Sequence, residues 1–211
     1  MRSLFPLALL IVPSAFADTA FSNFGTAPNL YLANQGRVVG FGNAANPVFV
    51  QGTLFTASAS GVVSSLSLAM NNFNTQGGVQ ADYTVELWSN SASDELGSLL
   101  GSYAAKSTGS LNNTTTSDLS VVPAGGTSVA LVSGTEYWIV ARTADTTSLV
   151  WQNTAATDAM RRVTFVDGVA NYATSDQNSA FSVEVQAVPE PATLALVGFG
   201  ALSFVRRRHQ G

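Results

Sequence analysis

The sequence contains no cysteine, and its single histidine, His209, lies close to the C-terminus. A Ser-His-acid triad and a Cys-His pair each need a histidine beside the nucleophile, and the region between the two end segments has none, so both enzyme classes are excluded there. Zinc held by His or Cys is excluded on the same ground. No disulfide can form either, so burial of side chains must stabilise the fold even in an oxidising compartment.

Charged residues are scarce, at 10% of the chain, and positive charge is scarcest between the two ends. Residues 18–188 contain twelve acidic and five basic side chains, a net charge of −7. The basic ones are Arg37, Lys106, Arg142, Arg161 and Arg162. No basic patch is available to follow a phosphate backbone, so nucleic acid is not expected as a partner. The sequence does not indicate a cofactor either.

Long hydrophobic runs are also missing, but a short one stands near the N-terminus. Residues 4–12 are mostly apolar and follow Arg2. The run is too short to span a bilayer stably, and Pro6 and Pro13 oppose the alternative of a buried N-terminal helix. Residues 1–17 are therefore predicted to be a signal peptide. Signal peptidase would read the small residues Ala15 and Ala17 and cleave before Asp18.

A second short apolar run lies in the C-terminal tail, residues 188–211. Pro189, Glu190 and Pro191 precede the apolar residues 192–205, and Arg206, Arg207 and Arg208 follow them. The two prolines favour an extended stretch that a protease can reach. Fourteen residues at about 1.5 Å each cover roughly 21 Å as a helix, short of the roughly 30 Å hydrocarbon core. Such a helix is a marginal inner-membrane anchor, with its arginines on the cytoplasmic side.

This three-part tail resembles the PEP-CTERM sorting signal of Gram-negative bacteria that make extracellular polysaccharide. The resemblance implies transient anchoring in the inner membrane, processing by a membrane-embedded exosortase, and delivery to the cell surface or beyond. The alternative is an ordinary C-terminal membrane anchor, which the short apolar span disfavours.

Between the two ends, residues 18–187 alternate short apolar or period-two runs with clusters of Gly, Asn, Ser and Asp. This pattern predicts an all-β, two-sheet antiparallel β-sandwich of jelly-roll type, flanked by the signal helix and a short C-terminal hydrophobic helix. The expected strands are 48–56, 62–70, 82–88, 99–105, 117–122, 128–131, 136–143, 149–153, 161–165 and 181–186. Residues 18–45 are expected to add one or two edge strands.

Two local patterns within this region are more specific. The alternation over residues 82–88 places Tyr83, Val85 and Leu87 towards the core and Glu86 on the opposite face. The dipeptide Asp167-Gly168 predicts a tight turn between strands.

The body of the chain is similar to the choice-of-anchor domains, nearest to their R type. Three stretches support the resemblance: residues 50–56, residues 83–89 and residues 134–140, the last followed by Leu149-Val150-Trp151. The resemblance implies a β-sandwich that is combined with different surface anchors.

The residue composition leaves two kinds of functional site possible. Carboxylate pairs can hydrolyse glycosides when they lie about 5–9.5 Å apart, and nothing in the spacing selects one pair. The candidate carboxylates are Asp82, Glu86, Asp94, Glu95, Glu136, Asp145 and Glu184. Aromatic side chains can stack on sugars, and the candidate glycan platform is Trp88, Trp138 and Trp151, although aromatic residues in strands usually lie in the core. The face shared with Glu86 and Arg142 favours exposure of Trp88 and Trp138. No calcium-loop motif is visible, so no metal site is predicted.

These observations predict an exported, non-enzymatic surface or extracellular-matrix protein, with a structural or interaction role associated with exopolysaccharide and biofilm. A carbohydrate-binding module that uses exposed tryptophans is the first alternative. A carboxylate-dependent glycan hydrolase is the second.

Overall fold

Strands make up the regular structure of the described residues. A computed structural model describes residues 17–27, 29–41, 48–72, 80–108, 119–123, 128–143 and 148–187. Across these ranges there are fourteen strands and no helix. The strands are β1 (Ala17–Ser22), β2 (Leu32–Phe41), β3 (Val48–Thr56), β4 (Gly61–Leu68), β5 (Met70–Asn72), β6 (Asp82–Asn90), β7 (Leu96–Lys106), β8 (Ser120–Pro123), β9 (Ala130–Leu131), β10 (Glu136–Thr143), β11 (Ser148–Asn153), β12 (Met160–Val166), β13 (Val169–Ser175) and β14 (Phe181–Gln186).

The strands form two sheets. The first has the order β1-β14-β4-β8, with β9 also paired to β4. The second has the order β5-β11-β2-β3-β10-β6-β7, and the hairpin β12–β13 joins it through β3. The pairings between these strands are antiparallel. The prediction of an all-β fold with two antiparallel sheets is confirmed, while both predicted flanking helices lie outside the described residues.

The main core lies between the sheets. Phe181 and Leu66 of the first sheet belong to the same buried cluster as Trp151 and Ile139 of the second. The ring of Phe181 lies 4.7 Å from that of Phe21 and contacts Trp151 edge to face at 6.0 Å, both measured between centroids. Since no disulfide is present, this apolar and aromatic burial is the main stabilising contribution to the fold.

The predicted alternation holds where strands are regular and shifts at a bulge. Tyr83, Val85 and Leu87 are buried in the core as expected. In β4 the register against β14 skips Ser64. This bulge changes the side-chain phase, which is why Val63 and Leu66, three residues apart, both face the core.

Ala69 divides the predicted strand 62–70 between the two sheets. The chain passes there from β4 in the first sheet to β5 in the second. The Ala69 amide donates to the carbonyl of Ala180 at 3.1 Å, and its carbonyl accepts from the amide of Gln152 at 2.8 Å. This residue therefore connects the two sheets through its backbone.

The other strand predictions are confirmed in part. Strands 48–56, 136–143 and 181–186 have their predicted bounds. β1 is an edge strand as expected, but β2 lies inside the second sheet between β11 and β3, and β13 was not predicted.

The predicted turn at Asp167-Gly168 is confirmed. Both residues have positive φ, 49° and 81°, and Val166 pairs with Val169 across them. This is the conformation of a two-residue type I′ hairpin turn. The Asp167 carboxylate accepts a hydrogen bond from the Val48 amide at 3.0 Å, which fixes the tip of the hairpin to the start of β3.

Candidate functional site

The candidate tryptophan platform does not form as predicted. Trp151 is fully buried between the sheets, where its Nε1 donates to the carbonyl of Ala180 at 3.0 Å. Trp138 is also 0% exposed. Neither ring can stack on a sugar, so of the three candidates only Trp88, which is partly buried, reaches the surface.

Trp138 is buried because the hairpin β12–β13 covers the face of the sheet on which it lies. We call Val163, Phe165 and Tyr172 the packed face of this hairpin; with Trp138 they belong to one apolar cluster. The Tyr172 ring meets the Trp138 ring edge to face, with centroids 5.7 Å apart. The predicted face of Trp138 was correct, but its exposure was wrong because β13 had not been recognised.

Gly52 permits this close packing. A Cβ at position 52 would lie 2.8 Å from Cγ1 of Val163 and 2.9 Å from Cγ2 of Val140. Real side chains do not approach so closely, so any larger residue would push the hairpin away from β3 and β10.

Glu86 is held in a polar network beside Trp88. It is 8% exposed, and its Oε2 accepts hydrogen bonds from Trp88 Nε1 and Arg142 Nη2, each at 2.9 Å. Arg142 Nε lies 2.8 Å from Oε1, an ion-pair contact away from the hydrogen-bond direction. All these contacts satisfy the buried carboxylate, which gives Glu86 a structural role.

Asn90 links buried Trp138 to two surface carboxylates. Its Oδ1 accepts from Trp138 Nε1 at 2.9 Å, while its Nδ2 donates to Asp94 at 3.1 Å and to Glu136 at 2.9 Å. Asp94 occupies the left-handed region, with φ of 53°, in the loop between β6 and β7. Sequence reasoning missed Asn90, because two of its partners, Glu136 and Trp138, are 46 and 48 residues away in the chain.

Asp94 and Glu136 lie on a groove of about 660 Å³. The groove runs between the end of β1, the end of β3 and the segment that leads into β12, and Asp158 and Arg161 also line it. Arg161 Nε donates to the Asp94 carbonyl at 2.8 Å, and its guanidinium lies 5.7 Å from the Tyr172 ring centroid. The volume is typical of a small-molecule site, but hydrogen bonds to neighbouring residues already engage Asp94, Glu136 and Arg161.

Two other candidate carboxylates, Asp82 and Glu184, are engaged by other side chains. Asp82 pairs with Lys106 at 2.6 Å on the surface, and Glu184 accepts from the Thr19 hydroxyl. Glu95 is exposed, and Asp145 lies outside the described residues. Asp94 and Glu136 are both exposed, without the apolar surroundings with which glycosidases tune a catalytic acid. In the described ranges, no three acidic side chains gather closely enough to hold a metal ion.

Two tyrosines have pKa values altered by burial. Burial raises the pKa of Tyr83 far above its ordinary value, an effect only partly offset by the hydrogen bond with Ser120. Burial likewise raises the pKa of Tyr103 to about 12. Both phenols therefore stay protonated at neutral pH and are part of the core.

The two ends of the domain meet in the first sheet. β1 begins at Ala17, which pairs with Gln186, the last residue of β14. The predicted cleavage between Ala17 and Asp18 therefore falls at the first residue of an edge strand. Ala15 and the sorting residues Pro189, Glu190, Pro191, Arg206, Arg207 and Arg208 lie outside the described residues.

Residues 187–208 match the PEP-CTERM protein-sorting motif. The match begins at the residue after β14 and confirms the predicted tail. No protein in the curated set matches the chain. The motif implies exosortase-dependent sorting to the cell surface of a Gram-negative bacterium, with transient processing at the membrane. Within the described ranges no helix is long and apolar enough to cross a membrane.

Proposed function

We propose that this protein is a non-enzymatic component of the cell surface or extracellular matrix, a β-sandwich delivered to the exopolysaccharide layer of a biofilm. The observation that carries the proposal is the sorting motif at residues 187–208, placed directly after the last strand of the sandwich. In this proposal signal peptidase cleaves after Ala17. Residues 192–205 then hold the domain at the inner membrane until exosortase processes the tail.

The pairing of Ala17 with Gln186 supports this route. Because these residues are neighbours, the signal peptide and the sorting tail join the domain at the same end of the first sheet. One membrane can therefore hold both segments while the whole sandwich stays on its outer side.

The absence of enzymatic activity is part of the proposal. No histidine or cysteine lies between residues 18 and 208, and Glu86 is held by Arg142 and Trp88. The hydrolase alternative is left with one pair, Asp94 and Glu136. If it were correct, a polysaccharide from the host would be cleaved, and Asp94→Asn or Glu136→Gln would abolish cleavage.

The other two finer assignments belong to the same proposal. The choice-of-anchor resemblance fits a sandwich joined to a separable surface signal. The tryptophan-based carbohydrate-binding module is not favoured, because Trp138 and Trp151 are buried.

Intact-mass analysis with cell fractionation of the native host tests the sorting proposal. We expect mature protein that begins at Asp18, lacks residues 192–208 and is found with the extracellular polysaccharide. Replacing Arg206, Arg207 and Arg208 with alanine should leave unprocessed chain in the membrane fraction. Mature protein that still contained residues 192–208 would overturn the proposed processing.

A further inference from the structure

A second groove, of about 470 Å³, lies between the hairpin β12–β13 and strand β2. Its residues on the hairpin point away from the packed face, because side chains alternate along each strand. We call Arg162, Thr164 and Asn171 the polar face of the hairpin. Arg37 of β2 and Gln51 of β3 complete the polar lining, and the volume suits a small ligand.

The two arginines of this groove differ from the other basic side chains of the domain. Lys106 pairs with Asp82, Arg142 pairs with Glu86, and Arg161 is bound to the Asp94 carbonyl. In the part of the chain that the structure describes, no carboxylate forms an ion pair with Arg37 or Arg162.

Several donor atoms of the same two side chains have no hydrogen-bond partner. Nε of Arg37 and both Nε and Nη1 of Arg162 are buried, and no described residue accepts a hydrogen bond from them. Within the described ranges, the guanidinium of Arg37 forms one hydrogen bond, a long one of 3.4 Å from Nη2 to the carbonyl of Gln177. Buried polar groups are nearly always satisfied, so guanidinium groups with unused donors beside a groove are candidates for contact with a ligand.

The electrostatics indicate that the acceptor is an anion. Burial, and after it the positive charge of Arg162, lower the pKa of Arg37 from its ordinary value. Arginine nevertheless stays charged at neutral pH, so two like charges face each other in a groove. An anionic group between them would offset this repulsion and accept hydrogen bonds from the two guanidinium groups.

The neighbouring polar side chains are already positioned. Thr164 donates its hydroxyl hydrogen to Gln51 Oε1 at 2.8 Å, and Gln51 Nε2 donates to the Val38 carbonyl at 3.0 Å. These bonds fix the Gln51 amide and leave its second Nε2 hydrogen free for a ligand. Amide and hydroxyl groups beside an anion-binding pair suit a molecule that carries one acidic group and several hydroxyls.

We propose that this groove binds an acidic sugar unit, with its anionic group between Arg37 and Arg162 and its hydroxyls near Gln51, Thr164 and Asn171. The surrounding domain is acidic, with a net charge of −7 over residues 18–188, so a densely charged polyanion would be repelled. A single acidic sugar, or an acidic branch on a neutral chain, avoids this repulsion. The proposal rests on the proposed function in one respect, since delivery to a polysaccharide layer is what brings such sugars to the groove.

Binding of galacturonate and galactose to the full 211-residue chain, purified in a non-ionic detergent, tests the proposal. These sugars differ only in the carboxylate. We expect galacturonate to raise the melting temperature and to bind in calorimetry, while galactose does neither. Arg162→Met and Arg37→Met should each weaken galacturonate binding by about tenfold or more, because each removes charge-assisted hydrogen bonds.

The matched control is Arg161→Met, which removes the same charge one position away on the opposite face. It should bind galacturonate like the wild type, and Arg162→Lys, which keeps the charge, should bind with intermediate affinity. Equal binding of galactose, or undiminished binding by Arg162→Met and Arg37→Met, would overturn the proposal. Inorganic sulfate that binds as tightly as galacturonate would overturn the sugar assignment. These outcomes depend only on the purified chain, so they are separable from a failure of sorting in the host.

Discussion

The two faces of the β12–β13 hairpin place two adjacent arginines, Arg161 and Arg162, in different surroundings. On the packed face, Arg161 is bound to the Asp94 carbonyl and lies over the Tyr172 ring. On the polar face, Arg162 keeps buried donors without partners. Strand alternation alone separates the two arginines, so one of them supports the fold and the other is left for a ligand. Four predictions test this division.

The largest expected effect comes from the packed face. Trp138→Ala would leave a cavity between the hairpin and the sheet and should lower the free energy of unfolding by about 3–5 kcal/mol. Chemical denaturation measures it, with Trp88→Ala as the control. Trp88 is only partly buried, so its truncation should cost less, and a larger loss for Trp88→Ala would contradict the assignment of Trp138 to the packing of the hairpin.

Gly52→Ala should have the next largest effect, about 1–3 kcal/mol of lost stability, because the new Cβ would overlap Val163 and Val140. Gly168→Ala is the matched control. Position 168 has open space around it but a φ of 81°, so alanine there meets backbone strain of about 1–2 kcal/mol without a clash. Only Gly52→Ala should shift the fluorescence of buried Trp138, and an unchanged spectrum would argue against close packing.

The two arginines should differ in stability without ligand. Arg161→Met removes a hydrogen bond and a cation–π contact, so it should cost about 0.5–1.5 kcal/mol. Arg162→Met removes a charge repulsion and buried unpaired donors, so the melting temperature should stay the same or rise. A loss for Arg162→Met as large as that for Arg161→Met would show that both faces contribute equally to packing.

Salt should have the smallest effect. Raising the salt concentration from about 0.01 M to about 1 M shortens the Debye length from about 30 Å to about 3 Å and weakens the repulsion between Arg37 and Arg162. The wild type should therefore gain more thermal stability from sodium chloride than Arg162→Met does. Arg161→Met is the control, because it removes a charge but keeps both Arg37 and Arg162. If the wild type, Arg162→Met and Arg161→Met gained the same thermal stability from salt, Arg37 and Arg162 would not repel each other.

Which strands could be predicted from the sequence depended on whether buried apolar residues mark them. Strands such as 48–56 and 181–186 were found because apolar residues mark them and turn residues bound them. β13 was missed because Val169, Ala170 and Asn171 are exposed, so its first half shows no buried alternation. Without that strand, the cover over Trp138 could not be foreseen.

The sorting tail could be predicted from the sequence, whereas the grooves could not. The tail is a contiguous motif, and its parts could be recognised in order. Asn90 with Glu136, and Arg37 with Arg162, meet only through strand pairings distant in sequence. The composition gives one indication. Because the domain has few basic and many acidic residues, an arginine without an acidic partner is unusual in it.

The position of β14 at the interior of the first sheet affects when the domain can fold. β14 pairs with both β1 and β4, although it is the last strand before the sorting tail. During export, this sheet cannot close until nearly the whole chain has crossed the inner membrane, and such distant pairings form slowly. The order of strands thus delays completion of the first sheet until the sorting tail itself reaches the membrane.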